Sequence, residues 1–226
     1  LKHKGLTYFY VDMKTPGIEA KPIKQISGSA NFNEVFFNDV RIPDSQRIGA
    51  EGDGWKVSLT TLMNERLAVG DPPGLDFDQI FEASKEIEVE DGLAVKNSEV
   101  RQKMADWYIQ SRGLQYTKYR SMTALSKGQT PGPELSISKL VTASKMQDVS
   151  SYALDLMDMS GMVHQDKNPI LKNLFQNGYF FSAAMRIAGG TDEVLRNIIA
   201  ERVLGLPQDE RSDKKLPFNE LPSGKN

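Results

Sequence analysis

The sequence contains no cysteine. That excludes disulfides and thiolate metal sites, and it agrees with a reducing compartment. Histidine is nearly absent too: His3 and His164 lie far apart and form no HExxH pairing, so no zinc site is expected. Charge of one sign does not dominate. With 28 basic and 30 acidic residues the net charge is −2, so no basic field draws in nucleic acid or an anionic membrane. The pair Lys214-Lys215, directly after Asp213, is too little to bind nucleic acid. No apolar run reaches membrane-spanning length, and the opening residues do not read as a signal peptide. What is present suits a globular domain: 39% hydrophobic and 26% charged residues over 226 positions, enough for a real core under an ordinary surface. The chain opens at Leu1, and Lys2-His3-Lys4 leads straight toward the apolar run Leu6 to Val11, so a fragment or cleavage product is the expectation.

Residues 1–50 read as β structure. Thr7 to Val11 is rich in aromatic and β-branched residues and ends in the turn Pro16-Gly17. Asn33 to Phe37 is a second strand, Asn38-Asp39 a turn, and Val40-Arg41-Ile42 a third strand stopped by Pro43. These strands cannot close a sheet alone, so they are expected to belong to a larger β layer. After Gly54 the period becomes helical. Trp55, Leu59, Leu62, Arg66 and Val69 make one stripe, broken at Asp71-Pro72-Pro73-Gly74. Val100, Met104, Trp107, Leu114, Met122 and Leu125 make a second, with Asn97 or Ser98 as N-cap. Ile137, Leu140, Val141, Val149, Tyr152 and Leu156 make a third, stopped near Gly161. A fourth helix follows Pro169 to about Ile187. Thr191 caps a last one with Val194, Leu195, Ile198 and Ile199 inside and Gly205 and Pro207 at its end. The stretch Glu82 to Asp91 is acidic and reads as a solvated face or loop. Residues 51–206 are thus an antiparallel bundle of four to five helices and 207–226 a polar tail, giving an α+β fold dominated by the bundle.

Two places could carry chemistry. The loop Ala188-Gly189-Gly190-Thr191 runs into a helix, where free backbone N–H groups and the positive end of the helix dipole favour an anion or polar ligand. On the residues alone an ordinary tight turn with a Thr cap is the stronger reading. Glu65 lies on the shoulder of an apolar stripe, where desolvation would raise its pKa and suit it to general-base work. On the residues alone it reads better as a structural carboxylate paired with a nearby Arg or Lys.

Four segments shift that balance. Glu34-Val-Phe-Phe-Asn-Asp-Val-Arg-Ile-Pro43, Gly52-Asp-Gly-Trp-Lys56, Asn64-Glu-Arg-Leu67 and Gly189-Gly-Thr-Asp-Glu-Val-Leu-Arg-Asn-Ile-Ile-Ala-Glu-Arg-Val-Leu-Gly-Leu-Pro207 resemble, in order and separation, the acyl-CoA dehydrogenase family. The resemblance covers the end of that family's β-barrel-like middle domain and its C-terminal helical bundle. It implies FAD-dependent α,β-dehydrogenation of an acyl-CoA thioester, in which a carboxylate removes the α-proton and a hydride leaves for N5 of the flavin. The family usually carries its base just before the Gly-Thr of the last loop, where this chain has Gly189. A smaller branch, similar to the isovaleryl and long-chain enzymes, carries it on the first bundle helix directly before an Arg, and Glu65-Arg66 matches that arrangement. The resemblance therefore implies Glu65 as base, Gly189 as a backbone N–H donor to the thioester oxygen, Thr191 and Glu193 near the flavin, and Arg66 on the substrate side.

The chain departs from the family pattern in two stretches. Gly92 to Arg101 lacks the Phe-Gly of the motif that reaches the flavin pyrophosphate of a neighbouring subunit, leaving Arg101 as a substitute. Asp155 to Gly161 replaces the Gln-x-x-Gly-Gly stretch that touches the adenine half. The resemblance further implies a homodimer or homotetramer, electron transfer flavoprotein as redox partner, and a bacterial cytoplasmic location rather than the mitochondrial matrix. Other readings are an acyl-CoA oxidase, a silent partner subunit of the same fold, or a non-catalytic assembly module.

Overall fold

The structure is a computed structural model. It describes residues 3–68, 75–129, 132–133, 135–163, 170–210 and 216–221; the side chains of 63–68, 135, 170–172 and 218 lie outside the description. Two compact units are present, one formed by residues 1–70 with 209–226 and the other by residues 71–208.

In the first unit, β1 (Tyr8–Phe9) pairs antiparallel with β4 (Arg47–Ile48), and β2 (Ile18–Ile23) pairs antiparallel with β3 (Phe32–Phe37), in the register Ile18 to Phe37. Every residue of β3 is exposed, including Phe32, Phe36 and Phe37. A two-stranded ladder with no layer on either face is marginal by itself. Strand β2 was not legible from the sequence, because Ile-Glu-Ala-Lys-Pro-Ile alternates poorly and holds Pro22, which an edge strand tolerates. The expected strand Val40–Ile42 is not one: among the described residues these three pair with no strand, and a short 3₁₀ turn, Asp44–Gln46, follows Pro43. Helix α1 (Gly54–Ala68) starts where the period changes, and its first N–H, on Gly54, donates to Leu6 O at 2.7 Å.

The second unit is the helical bundle. Helix α2 (Phe77–Ser84) lies just before and partly within the stretch read as an acidic loop, and it was missed. Its signal was the capping box Asp76-Phe-Asp-Gln79: the Asp76 carboxylate accepts from the first backbone N–H groups, and Gln79 Oε1 accepts from Asp76 N–H at 2.9 Å. The short hairpin β5 (Glu88–Val89) and β6 (Gly92–Leu93) leads to α3 (Ser98–Ser126), which Asn97 caps by accepting from Glu99 and Val100 N–H. Then come α4 (Leu135–Leu156), the single turn α5 (Met159–Met162), α6 (Ile170–Met185) and α7 (Asp192–Arg202).

Helix α4 is central, packing against α2, α3, α6 and α7. It can do so because Ala143, Met146, Val149, Ser150 and Ala153 form one buried stripe at helical spacing. Of these, Met146, Val149 and Ala153 meet Ile80 and Ala83 of α2, Val100, Met104 and Trp107 of α3, and Phe175 of α6 in one core. Buried hydroxyls are satisfied locally: Ser150 Oγ donates to Met146 O at 2.6 Å and Ser182 Oγ to Tyr179 O at 2.7 Å. The α3 stripe is buried only in its first half. Met122 and Leu125 lie on the helix as the stripe predicts, but both are exposed. Val194 is exposed too, and Leu195 is the buried apolar anchor of α7, beside the buried Asp192.

Candidate functional site

The end of α6 and the start of α7 build a turn around two glycines. Helix α6 closes with Arg186 N–H to Ser182 O and Ala188 N–H to Ala184 O. Gly189 and Gly190 then take φ values of +68° and +110°, and the second is a backbone state that side chains rarely adopt. Thr191 returns to extended geometry and caps α7, its hydroxyl oxygen accepting from Val194 N–H at 3.3 Å. Gly189 is exposed, and a Cβ placed on it would meet nothing within 4 Å. Neither glycine's N–H has a partner among the described residues. The junction therefore presents unused donors beside open space at the positive end of a helix.

A charged network stands behind this turn. The Asp192 side chain is 3% exposed. Its Oδ2 accepts from Arg186 Nε at 2.7 Å, while Arg186 Nη1 donates to Gln147 Oε1 at 2.9 Å and so joins α6, α7 and α4. Lys139 of α4 places Nζ 3.7 Å from Asp192 Oδ1 and donates to Gly190 O at 2.6 Å. Burial pushes the Lys139 ammonium below its ordinary value, and Asp192 offsets only part of that. Glu193 lies on the exposed side of the junction; its own backbone N–H and the Thr191 hydroxyl hold its carboxyl below the usual range.

A second buried cluster ties α2 to α3 and α4. Lys145, 2% exposed, donates to Asp76 Oδ1 and to Ser111 Oγ, both at 2.8 Å. Ser111 Oγ lies within hydrogen-bond reach of both Asp76 Oδ1 and Trp107 O. Burial raises the Asp76 pKa, but the hydrogen bonds from Lys145, Ser111 and Phe77 N–H outweigh it and leave the carboxyl below its ordinary value.

Among the residues singled out in the sequence, the structure brings Gly189, Thr191 and Glu193 together at one junction. Arg101 is elsewhere, exposed in the first turn of α3, with Nη1 donating to Val95 O at 3.4 Å. Glu65 and Arg66 fall on α1, in the other unit, and their side chains lie outside the described residues. The α1 stripe beside Glu65 is not covered within the described residues: Leu59 is 43% and Leu62 47% exposed. Sequence reasoning missed Lys139, Gln147, Arg186 and Asp192. The available signal was a pair of lysines, Lys139 and Lys145, set six residues apart inside an apolar helix, where a cation needs a partner.

A bundle wrapped around one central helix, with a glycine turn opening its last helix, defines a class of helical domain. Residues 52–204 match the family model described as acyl-CoA dehydrogenase, C-terminal domain, and the chain belongs to the acyl-CoA dehydrogenase family. It is 33% identical over 209 residues to the acyl-CoA dehydrogenase FadE34 of Mycobacterium tuberculosis, covering 92% of this chain and 27% of that protein. It is 34% identical over 211 residues to the acyl-CoA dehydrogenase IpdE1 of the same organism, covering 93% of this chain and 53% of the relative. Among solved structures, the ChsE4-ChsE5 complex of Mycobacterium tuberculosis superposes with a TM-score of 0.72 at 20% identity, covering 92% of this chain and 55% of that one, a likeness of fold. The chain spans about half the length of IpdE1 and about a quarter of FadE34.

Proposed function

We propose that this chain is the C-terminal part of a flavin-dependent acyl-CoA dehydrogenase, residues 1–50 ending its β domain, and that Glu65 takes the α-proton of the thioester. The observation that supports it best is the turn before α7. Where the family usually carries its base, Gly189 leaves open space and an unused N–H. A carboxylate stands instead at position 65, directly before Arg66.

Each chain residue then has a defined task. An α C–H is very weakly acidic, so charge developing on the thioester oxygen needs fixed donors, which the N–H of Gly189 provides. Glu65 holds the proton it removes, and Arg66 lies on the substrate side. The free donors and exposed side chains fit FAD: Thr191 and Glu193 would lie against its ring, and the exposed guanidinium of Arg101 suits a pyrophosphate. When bound, the flavin supplies the acceptor for the β-hydride. Electrons would pass on to electron transfer flavoprotein, the assembly would be a homodimer or homotetramer, and the location would be the bacterial cytoplasm, as the bacterial relatives suggest.

Glu65→Gln in the full-length enzyme should lower turnover by about 10³-fold or more while leaving flavin absorbance intact. Undiminished turnover would overturn the assignment. A second reading is a silent subunit of a two-chain assembly; it is favoured by the likeness to a chain of the ChsE4-ChsE5 complex. Full-length protein that binds no flavin and turns over only beside a partner chain would select it.

A further inference from the structure

We infer that Lys139 is the positioning residue of the double-glycine turn, its ammonium holding the Gly190 carbonyl so that the turn's N–H donors keep one orientation toward the thioester. The inference rests on the function proposed above for that turn.

Two adjacent glycines are the least restricted backbone a chain can have, and fixing them costs more entropy than any other pair. Yet oxyanion stabilisation requires donors that do not reorganise when charge appears. Something outside the turn must hold it. Among the described residues, the backbone of Gly189 and Gly190 makes a single hydrogen bond: Gly190 O accepts from Lys139 Nζ at 2.6 Å. The peptide is planar and trans, so holding that carbonyl fixes the Gly190–Thr191 plane, one residue beyond Gly189, and limits the swing of the Gly189 N–H assigned above to the thioester oxygen.

Lys139 can act as a fixed point because it is itself held. Its ammonium stands 3.7 Å from Asp192 Oδ1, a buried oxygen with no hydrogen bond of its own. The other oxygen of Asp192 is clamped by Arg186, which is braced in turn by Gln147. The anchor thus runs from α4 to the first residue of α7, leaving the two glycines strung between a helix end and one amine. A lysine that served only to neutralise Asp192 would have no reason to spend its shortest bond on the turn's carbonyl, since Arg186 already pairs with that carboxylate.

The test compares wild type, Lys139→Met and Lys139→Arg in the full-length enzyme. Met fills the same half-buried slot without a donor, and Arg restores one. In Lys139→Met, amide exchange at Val194 and Leu195, whose N–H groups bond to Thr191, should rise about tenfold while the rest of the bundle is unchanged. Acyl-CoA turnover should fall about 100-fold in kcat with flavin content retained. Lys139→Arg should recover at least about a tenth of both properties. If Lys139→Met does not fold, Lys139→Ala, which likewise has no donor, carries the same comparison. Unchanged exchange, or faster exchange with wild-type kcat, overturns the inference. Faster local exchange in a protein whose wild type oxidises no acyl-CoA leaves Lys139 as the tether and overturns the proposed reaction instead.

Discussion

Lys145 Nζ lies 2.8 Å from Asp76 Oδ1, and the two partners are unequally buried: the lysine side chain is 2% exposed, the aspartate 44%. Breaking the pair from either end should therefore have unequal effects. Lys145→Met replaces the ammonium by an apolar chain of similar volume and leaves a carboxylate that water can reach, a change of about 1 kcal/mol. Asp76→Asn keeps an N-cap for α2 but strands a buried charge, which should cost about 3 kcal/mol. Urea unfolding of the two variants checks the order, and equal losses would contradict it.

The same pair sets an acid limit. The folded Asp76 carboxyl is held below its ordinary value of about 3.9. A depressed folded pKa contributes stability above the unfolded value, and that contribution disappears as pH falls through the folded one. The stability difference between wild type and Asp76→Asn should therefore be constant from pH 7 to about 5 and shrink below about pH 4. Denaturation midpoints measured across that range give the answer.

Gly178 lies in the interior of α6, where alanine would ordinarily gain about 1 kcal/mol. Here a Cβ would overlap Leu75 Cδ1 and stand 2.6 Å from Ser150 Oγ, in the tightest part of the seam with α4. Gly178→Ala should lower stability by about 1–3 kcal/mol, reversing the sign that helix propensity gives. Thermal unfolding of the single variant decides between the two.

A carboxylate reinstalled in the final turn should find room. Gly189 has nothing within 4 Å of its missing Cβ, and its φ of +68° costs a non-glycine residue about 1 kcal/mol. In the full-length enzyme, Gly189→Glu added to Glu65→Gln should restore measurable acyl-CoA turnover at little cost in melting temperature. A double variant as inactive as Glu65→Gln alone would argue against the turn facing the α-carbon.

Thr191 joins the turn to its helix through a cap bond of 3.3 Å. Thr191→Ala should cost about 1 kcal/mol, and Thr191→Ser, which keeps the hydroxyl, much less. Chemical denaturation separates them.

The sequence by itself determined the helical bundle, because apolar spacing, the Asn97 and Thr191 caps and the stop near Gly205 are local signals read within a few residues, whereas the helix expected to stop near Gly161 ends at Leu156. It also carried the family resemblance, through the run from Gly189 to Pro207. It did not show α2, whose end runs into an acidic stretch, although a capping box and the helical spacing of Phe77, Ile80 and Phe81 mark it. It did not show β2 either, since Pro22 masks the strand pattern. Only the tertiary structure decided which charges face which. Asp76 meets Lys145 across 69 positions and Lys139 meets Gly190 across 51, and nothing in local spacing records such pairings. The physical reason is that helix formation follows the order of residues along the chain, whereas the partner of a buried charge is chosen by how helices pack.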